Sequence, residues 1–320
     1  MKFLVTGGAG FLGSNLVNAL LDDGADAVCV YDNFTSGREE HFGHRLQDRR
    51  LRLVKGEVGD LETLTAAAAG CDVVLHLAAN PDIARAVSEP LLDFDNGTRL
   101  TQCVLEAMRR NAVRRIVFTS GSGVYGDVPP GPIPEDWPHM VPISTYGASK
   151  LASEALISAY CHMFGMVGTV FRFANVVGPN MTHGVTHDFI RRLSAEPERL
   201  LIYGDGRQEK PYIHTEDVIA AIRLLLERQS EGYAVYNVAS TDSLKVHEIA
   251  EIVVAVMGLQ NVSFEFTGGR RGWRADVPVY ALDTTRIRAL GWSNRRNSRA
   301  AVESAADSLL QQLARHPALA

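Results

Sequence analysis

The sequence predicts an α/β fold, a doubly wound parallel sheet followed by a smaller mixed α/β lobe, and three observations carry that prediction. Short apolar runs at 2–6, 27–31, 51–54, 73–77, 115–119 and 167–172 alternate with helical stretches near 11–23, 62–69, 98–110 and 146–164. The first run ends in a turn whose glycines, Gly7, Gly10 and Gly13, are spaced three apart. The second run closes on an acid, Asp32.

Lys2-Phe3-Leu4-Val5-Thr6 reads as a buried strand, and the glycines that follow open a helix carrying Leu16, Val17, Leu20 and Leu21. A strand entering such a turn lets backbone N–H groups approach a pyrophosphate, and the helix adds its positive N-terminus. An acid about twenty residues on accepts hydrogen bonds from an adenosine ribose and disfavours a 2′-phosphate, which points to NAD. The later runs repeat the strand-helix unit, as a parallel sheet with its ligand at the carboxyl ends of the strands requires. Segments 126–143 and 174–184 are rich in turn residues. Past about residue 175 the elements become shorter and mixed, so 1–174 is expected to be the NAD-binding domain. Residues 175–320 are expected to form mainly the substrate lobe, with some segments returning to the sheet. No internal repeat, low-complexity tract or long linker is seen.

Composition bounds the class. With 320 residues, 46% hydrophobic and 22% charged, the chain can bury a large core. A net charge of −5 gives no sign of a nucleic-acid or anionic-membrane partner. No apolar run approaches the ~18 residues of a membrane span, and the N-terminus enters a strand at once rather than a signal peptide. Cys29, Cys71, Cys103 and Cys161 are scattered without metal spacing, as expected of reduced core cysteines in a cytoplasmic protein.

Ser144-Thr145-Tyr146-Gly147-Ala148-Ser149-Lys150 opens a predicted helix and sets Tyr146 and Lys150 on one face, four residues apart. A phenol is a poor base at neutral pH, and a nearby ammonium together with a cationic nicotinamide ring would favour its phenolate.

Together these residues resemble the extended short-chain dehydrogenase/reductase family, in its nucleotide-sugar epimerase and dehydratase branch, with a Rossmann-type sheet. The resemblance runs over nearly the whole chain. It includes Asp32-Asn33 with Ser36-Gly37-Arg38, His76-Leu77-Ala78-Ala79-Asn80, Val124-Tyr125-Gly126, and Arg172-Phe173-Ala174-Asn175-Val176-Val177-Gly178-Pro179. Tyr203-Gly204-Asp205-Gly206, Tyr212-Ile213-His214 and Asp217 extend it. Carried over by position, it implies that Gly7, Gly10 and Gly13 cradle the pyrophosphate and Asp32 holds the ribose. Glu57 and Val58 match positions bordering adenine, while Ala78, Ala79 and Asn80 lie where the cofactor packs and its nicotinamide end is positioned. Phe11, Leu12, Asn33, Ser36, Gly37 and Leu77 join the cofactor-binding set, with Tyr146 and Lys150. Glu57 reads equally as a surface acid, and Ala78 and Ala79 as small residues that allow close packing.

For the substrate, the resemblance implies that Asn175 binds the diphosphate and that Lys210 stands where relatives often carry an arginine. Arg271 or Arg274 is a second cation, Tyr203 lies near the base, and His183-Gly184-Val185 lines its pocket. The family pairs as homodimers through two helices per subunit, here 98–110 and 146–164. Leu100, Val104, Leu151, Leu156 and Met163 are apolar positions available to that interface or to the core.

Two departures stand out. Relatives carry a Ser or Thr three residues before the valine of Val124-Tyr125-Gly126, where this chain has Gly121, flanked by Ser120 and Ser122. Ser120, Ser122 or a water is left to contact the reacting sugar oxygen. Gly97 occupies a usual asparagine position. The acid pair that dehydratases carry after the Ser/Thr is replaced by Ser122 and Gly123, and the decarboxylases' glutamate is absent too. The resemblance then implies reversible oxidation of a nucleotide-diphosphate sugar with inversion, most often at C4. An NAD-dependent sugar dehydrogenase or reductase, and a non-catalytic NAD-binding sensor, are the other readings.

Overall fold

The computed structural model describes residues 1–80, 84–129, 131–229 and 231–315. Five strands alternate with helices in the first part of the chain: β1 (Lys2–Thr6), α1 (Phe11–Asp22), β2 (Ala27–Asp32), β3 (Leu51–Lys55), α2 (Leu61–Ala68), β4 (Val73–His76), α3 (Arg99–Arg110) and β5 (Arg115–Gly121). They are followed by α4 (Thr145–Phe164), β6 (Val167–Phe173) and, much later, β7 (Tyr233–Val238). One sheet takes all seven strands in the order β7-β6-β5-β4-β1-β2-β3. The pairs β1/β2, β2/β3, β1/β4 and β4/β5 are parallel, so the order reverses between β1 and β4, where doubly wound sheets bind ligands.

Alternate residues of these strands enter one apolar core: Leu4, Cys29 and Tyr31, Val74, Ile116 and Phe118, and Val170, packed with Leu64, Leu105, Met108 and Ile157 from the helices. The buried stripe of α1, Leu16, Val17, Leu20 and Leu21, has helical spacing. Ser144 caps α4 by accepting from the Gly147 N–H at 3.0 Å, and Gly165, in the left-handed region, ends it. Strand β5 runs two residues beyond its predicted end, through Ser120 and Gly121. Tertiary contact extends it, because the Ser120 side chain is buried against α4.

The chain divides into two compact units. The first comprises Met1–Tyr125, Met140–Arg172 and Ile222–Tyr236, and the second Gly126–His139, Phe173–Ala221 and the chain from Asn237 onward. The second unit is built from very short strand pairs and helices. Asn175–Val177 lies parallel to Tyr212–His214, and Arg199–Ile202 parallel to Ser263–Phe266. Pro132–Ile133, in a stretch that reads as turns, pairs with Ala281–Leu282. Asp217 is fully buried and accepts from the Arg295 N–H at 2.8 Å while its carbonyl takes the Trp292 indole at 2.9 Å, so this motif acid ties the loop before the final helix.

Of the apolar positions on α3 and α4, Leu100 and Val104 are buried in the chain's own core and Leu156 is partly buried against it, while Met163 is exposed. All four cysteines are free thiols. No described helix is long and apolar enough to cross a membrane.

Candidate active site

The glycine turn sits at the carboxyl end of β1. Gly7 has φ +69°, and a Cβ there would stand 2.6 Å from the Ala78 nitrogen at the end of β4. At Gly13 a Cβ would come within 2.3 Å of the Gly7 carbonyl oxygen, so only glycine lets the helix start so close to the turn. No side chain caps the start of α1, which leaves the backbone N–H groups of Phe11, Leu12 and Gly13 available to an anion. Asp32 is buried, its Oδ2 accepting from the Ala9 N–H at 2.9 Å and its Oδ1 from the Phe34 N–H at 2.9 Å. Each oxygen keeps a lone pair for a ribose hydroxyl, and the carboxylate has nothing to donate to a 2′-phosphate.

Gly37 is held against this acid, since a Cβ there would lie 3.0 Å from Asp32 Oδ1; Ser36 precedes it on the same loop. Asn33 donates to Glu57 Oε2 at 3.2 Å, and the Tyr31 hydroxyl donates to the Glu57 carbonyl at 3.0 Å. The Val58 side chain is buried in the core. Leu77, Ala78 and Ala79 follow β4 beside Gly7, half-buried. Uncapped N–H groups, a close-packed glycine cradle and an acceptor-only acid are the donor set that NAD requires, and the residues fit it.

Tyr146 and Lys150 share the first turns of α4. The Lys150 ammonium lies 5.5 Å from the Tyr146 ring centre and 4.9 Å from that of Phe118, and donates to the Thr119 carbonyl at 2.8 Å. Burial, and after it the charge of Asp93, push the Tyr146 phenol up to about 12. Burial brings Lys150 down to about 8 against the opposing pull of Glu154 and Asp93, so the ammonium persists near neutrality. The loop after β5 lies against this turn, for a Cβ at Gly147 would meet the Gly123 carbonyl oxygen at 2.3 Å.

The end of β5 and the start of that loop carry the two serines flanking Gly121, and they differ. Ser120 is buried and donates to Glu154 Oε1 at 2.5 Å, joining the buried Glu154–Arg172 pair, whose closest approach is 2.6 Å. Ser122 is half-buried at the start of a tight turn, and its carbonyl takes the Tyr125 N–H at 3.1 Å. Gly121 is extended, with φ −158° and ψ 168°, a conformation open to any residue. The other departure has a steric reason. A Cβ at Gly97 would stand 2.2 Å from Ser149 Oγ, which donates to the Asp93 carbonyl at 2.7 Å and accepts from the Thr98 N–H at 2.9 Å.

Behind the site, His76 is fully buried between Thr6, whose hydroxyl meets Nδ1 at 2.7 Å, and Thr101, 3.1 Å from Nε2. Burial first, then Lys150, hold it neutral, its pKa lowered to about 3. Sequence reasoning missed Asp93. Its carboxylate is buried, accepting from Asn80 Nδ2 at 2.8 Å and from Thr145 Oγ1 at 2.6 Å. An acid between Leu91-Leu92 and Phe94 was the available signal, because isolated acids in apolar runs are seldom buried without partners.

Within the second unit, Asn175 donates to the Pro211 carbonyl at 3.3 Å and to the Tyr280 hydroxyl at 3.2 Å, beside Lys210. Lys210 is ion-paired with the buried Asp276, whose other oxygen takes the Gly272 N–H at 3.0 Å. Arg271 pairs with Asp127 at 2.7 Å, and Arg192 covers the Tyr203 ring at 4.4 Å. Arg274 is exposed, and Val185 begins the helix Val185–Ala195. Asn175, Lys210 and Arg271 are thus gathered by Asp276 and the strand pair, whereas Arg274 stands apart from that network.

Comparison with known proteins agrees with this geometry. The model described as the NAD dependent epimerase/dehydratase family matches residues 3–239. The low-salt glycan biosynthesis protein Agl12 of Haloferax volcanii is 31% identical over 97% of this chain and 99% of its own. A UDP-glucose 4-epimerase of Mycolicibacterium smegmatis is 33% identical over 91% and 93%. Among solved structures, a UDP-galactose 4-epimerase superposes with TM-score 0.86 at 36% identity, covering 98% of this chain and 100% of that one. A double mutant of the dTDP-glucose 4,6-dehydratase DesIV from Streptomyces venezuelae, solved with NAD, superposes at 0.91 with 28% identity and full coverage of both chains.

Proposed function

The chain belongs to the NAD dependent epimerase/dehydratase family, and within it we propose that it is an epimerase of a nucleotide-diphosphate sugar, acting at C4. The observation that carries the choice is the stretch Gly121-Ser122-Gly123 packed on the Tyr146 turn, which presents no carboxyl group for elimination of water. The UDP-glucose 4-epimerase among the relatives supports the same choice.

In this reading the first unit holds NAD and the second holds the nucleotide diphosphate, through Asn175, Lys210 and Arg271, with Tyr203 and Val185 toward the base. When bound, NAD supplies an oxidised nicotinamide that accepts a hydride from the sugar carbon and returns it. Tyr146 takes the proton of the sugar hydroxyl as the ketone forms and gives it back when the hydroxyl re-forms on the other face. Lys150 favours the phenolate through its charge, opposing burial and Asp93. In this reading Ser122 bonds the reacting oxygen, which the commitment of the Ser120 hydroxyl to Glu154 supports. As in the resembling family, the active species is a homodimer.

The test is mass spectrometry and NMR of the products from a panel of nucleotide sugars, with no external cofactor added. An epimer of unchanged mass is expected, and Tyr146→Phe should lower its formation by about 10²–10⁴-fold while NAD still binds. A product lighter by one water, or stoichiometric reduced cofactor with a released ketone, would assign the chain to a different reaction.

A further inference from the structure

We propose that Asp93 is a positioning residue that ties Asn80 to the tyrosine-bearing turn of α4 and sets the charge that Tyr146 faces. The inference rests on the reading of Tyr146 as the proton acceptor and adds to it a group from a different part of the chain. Asp93 lies on the segment between β4 and α3, where the backbone widens into a single wide turn over Phe94–Thr98 before α3 begins. Wide turns of this kind are rare and are found frequently at functional sites.

Three separate atoms of Asp93 are engaged. One carboxylate oxygen takes the Asn80 amide at 2.8 Å, the other takes the Thr145 hydroxyl at 2.6 Å, and the main-chain carbonyl takes the Ser149 hydroxyl at 2.7 Å. Thr145 and Ser149 flank Tyr146 on α4, and Asn80 lies four residues past the end of β4. One residue therefore ties the turn that carries the phenol to the Asn80 side chain. Gly97 belongs to the same arrangement, because a Cβ there would displace the Ser149 hydroxyl from Asp93 and Thr98. The departure from the family's asparagine and the buried acid are thus parts of one local packing solution.

The carboxylate is buried, so its charge is poorly screened. The groups that share its surroundings are few. Tyr146 faces Lys150 on its own helix and Asp93 from the β4–α3 segment. Lys150 faces Asp93, Glu154, the Phe118 ring, the Thr119 carbonyl and the neutral His76 of β4, while Glu154 is itself neutralised by Arg172 of β6. Among the described residues, Asp93 is therefore the anion set against the phenolate, and it also helps keep Lys150 charged.

Asp93→Asn removes the charge and keeps one acceptor. Its expected effect is to move the acid limb of the turnover profile to lower pH by about one unit, and the Tyr146 carbon resonance, followed by NMR in NAD-bound protein labelled at tyrosine Cζ, by a similar amount. Tyr146→Phe assigns that resonance. Thr145→Val removes a hydrogen bond and leaves the charge, so it should slow turnover about tenfold with the acid limb unmoved. An acid limb and a Tyr146 titration unchanged in Asp93→Asn would overturn the proposal. Should that variant fail to fold, wild-type turnover in Thr145→Val would overturn it instead. Full turnover in Tyr146→Phe would remove the underlying reading of the base, a result that the Asp93 and Thr145 variants cannot themselves produce.

Discussion

Acidification should weaken the sheet at His76 before it reaches most carboxylates. The imidazole is fully buried between Thr6 and Thr101, and its pKa falls to about 3 from an ordinary value of 6.5. A base that is harder to protonate when folded contributes stability that is complete above its unfolded pKa and is lost as the pH drops toward its folded pKa. At a pH of about 5 the unfolded chain carries the proton and the folded chain does not, so the loss relative to neutrality is ~2 kcal/mol from this residue alone. His76→Asn keeps a polar group near the Nδ1 position and cannot titrate. Urea unfolding of both proteins at about pH 7.5 and 5 gives the difference of differences, in which other titrating groups cancel. The wild type should lose ~2 kcal/mol more than the variant. Parallel losses in the two proteins would refute the reasoning, and would mean that the folded protein accommodates the imidazolium beside Lys150.

Ser122→Ala should lower turnover about tenfold to a hundredfold, the scale of one hydrogen bond to a reacting oxygen. Ser120→Ala should instead lower the unfolding midpoint with little effect on turnover, because its hydroxyl serves Glu154; steady-state kinetics on both variants separate the two roles. Gly121→Ser meets no backbone penalty at φ −158°, so a variant that is folded and at least as active is expected. Sedimentation at micromolar concentration should give a homodimer, and a charged residue replacing the exposed Met163 of α4 should weaken it.

Local signals were enough for six of the seven strands, since apolar runs mark strands covered on both faces and the 3.6-residue period marks the helices between them, whereas Tyr233–Val238 is expected only as part of a segment returning to the sheet. The glycine turn, Asp32 and the Tyr146–Lys150 pair were legible for the same reason: each is defined by spacing within one or two elements. Other parts were settled by contacts between distant segments. Ser120 and Ser122 are two apart and would share a face of a longer strand, but β5 ends at Gly121 and a tight turn begins at Ser122, while Glu154, thirty-four residues from Ser120, holds that serine inward. The burial of the Val58 side chain in the core is likewise set by contacts that no local pattern carries. Pro132–Ile133 is two residues long, too short for any periodicity, and becomes a strand because Ala281–Leu282 lies alongside. Asp93 has no motif of its own, for its partners Asn80 and Thr145 come from either side of it in the chain, and only folding makes them donors to the same buried carboxylate. Spacing specifies what one element presents; which charges and hydroxyls meet is a property of the packed chain, where burial removes water as the competing partner.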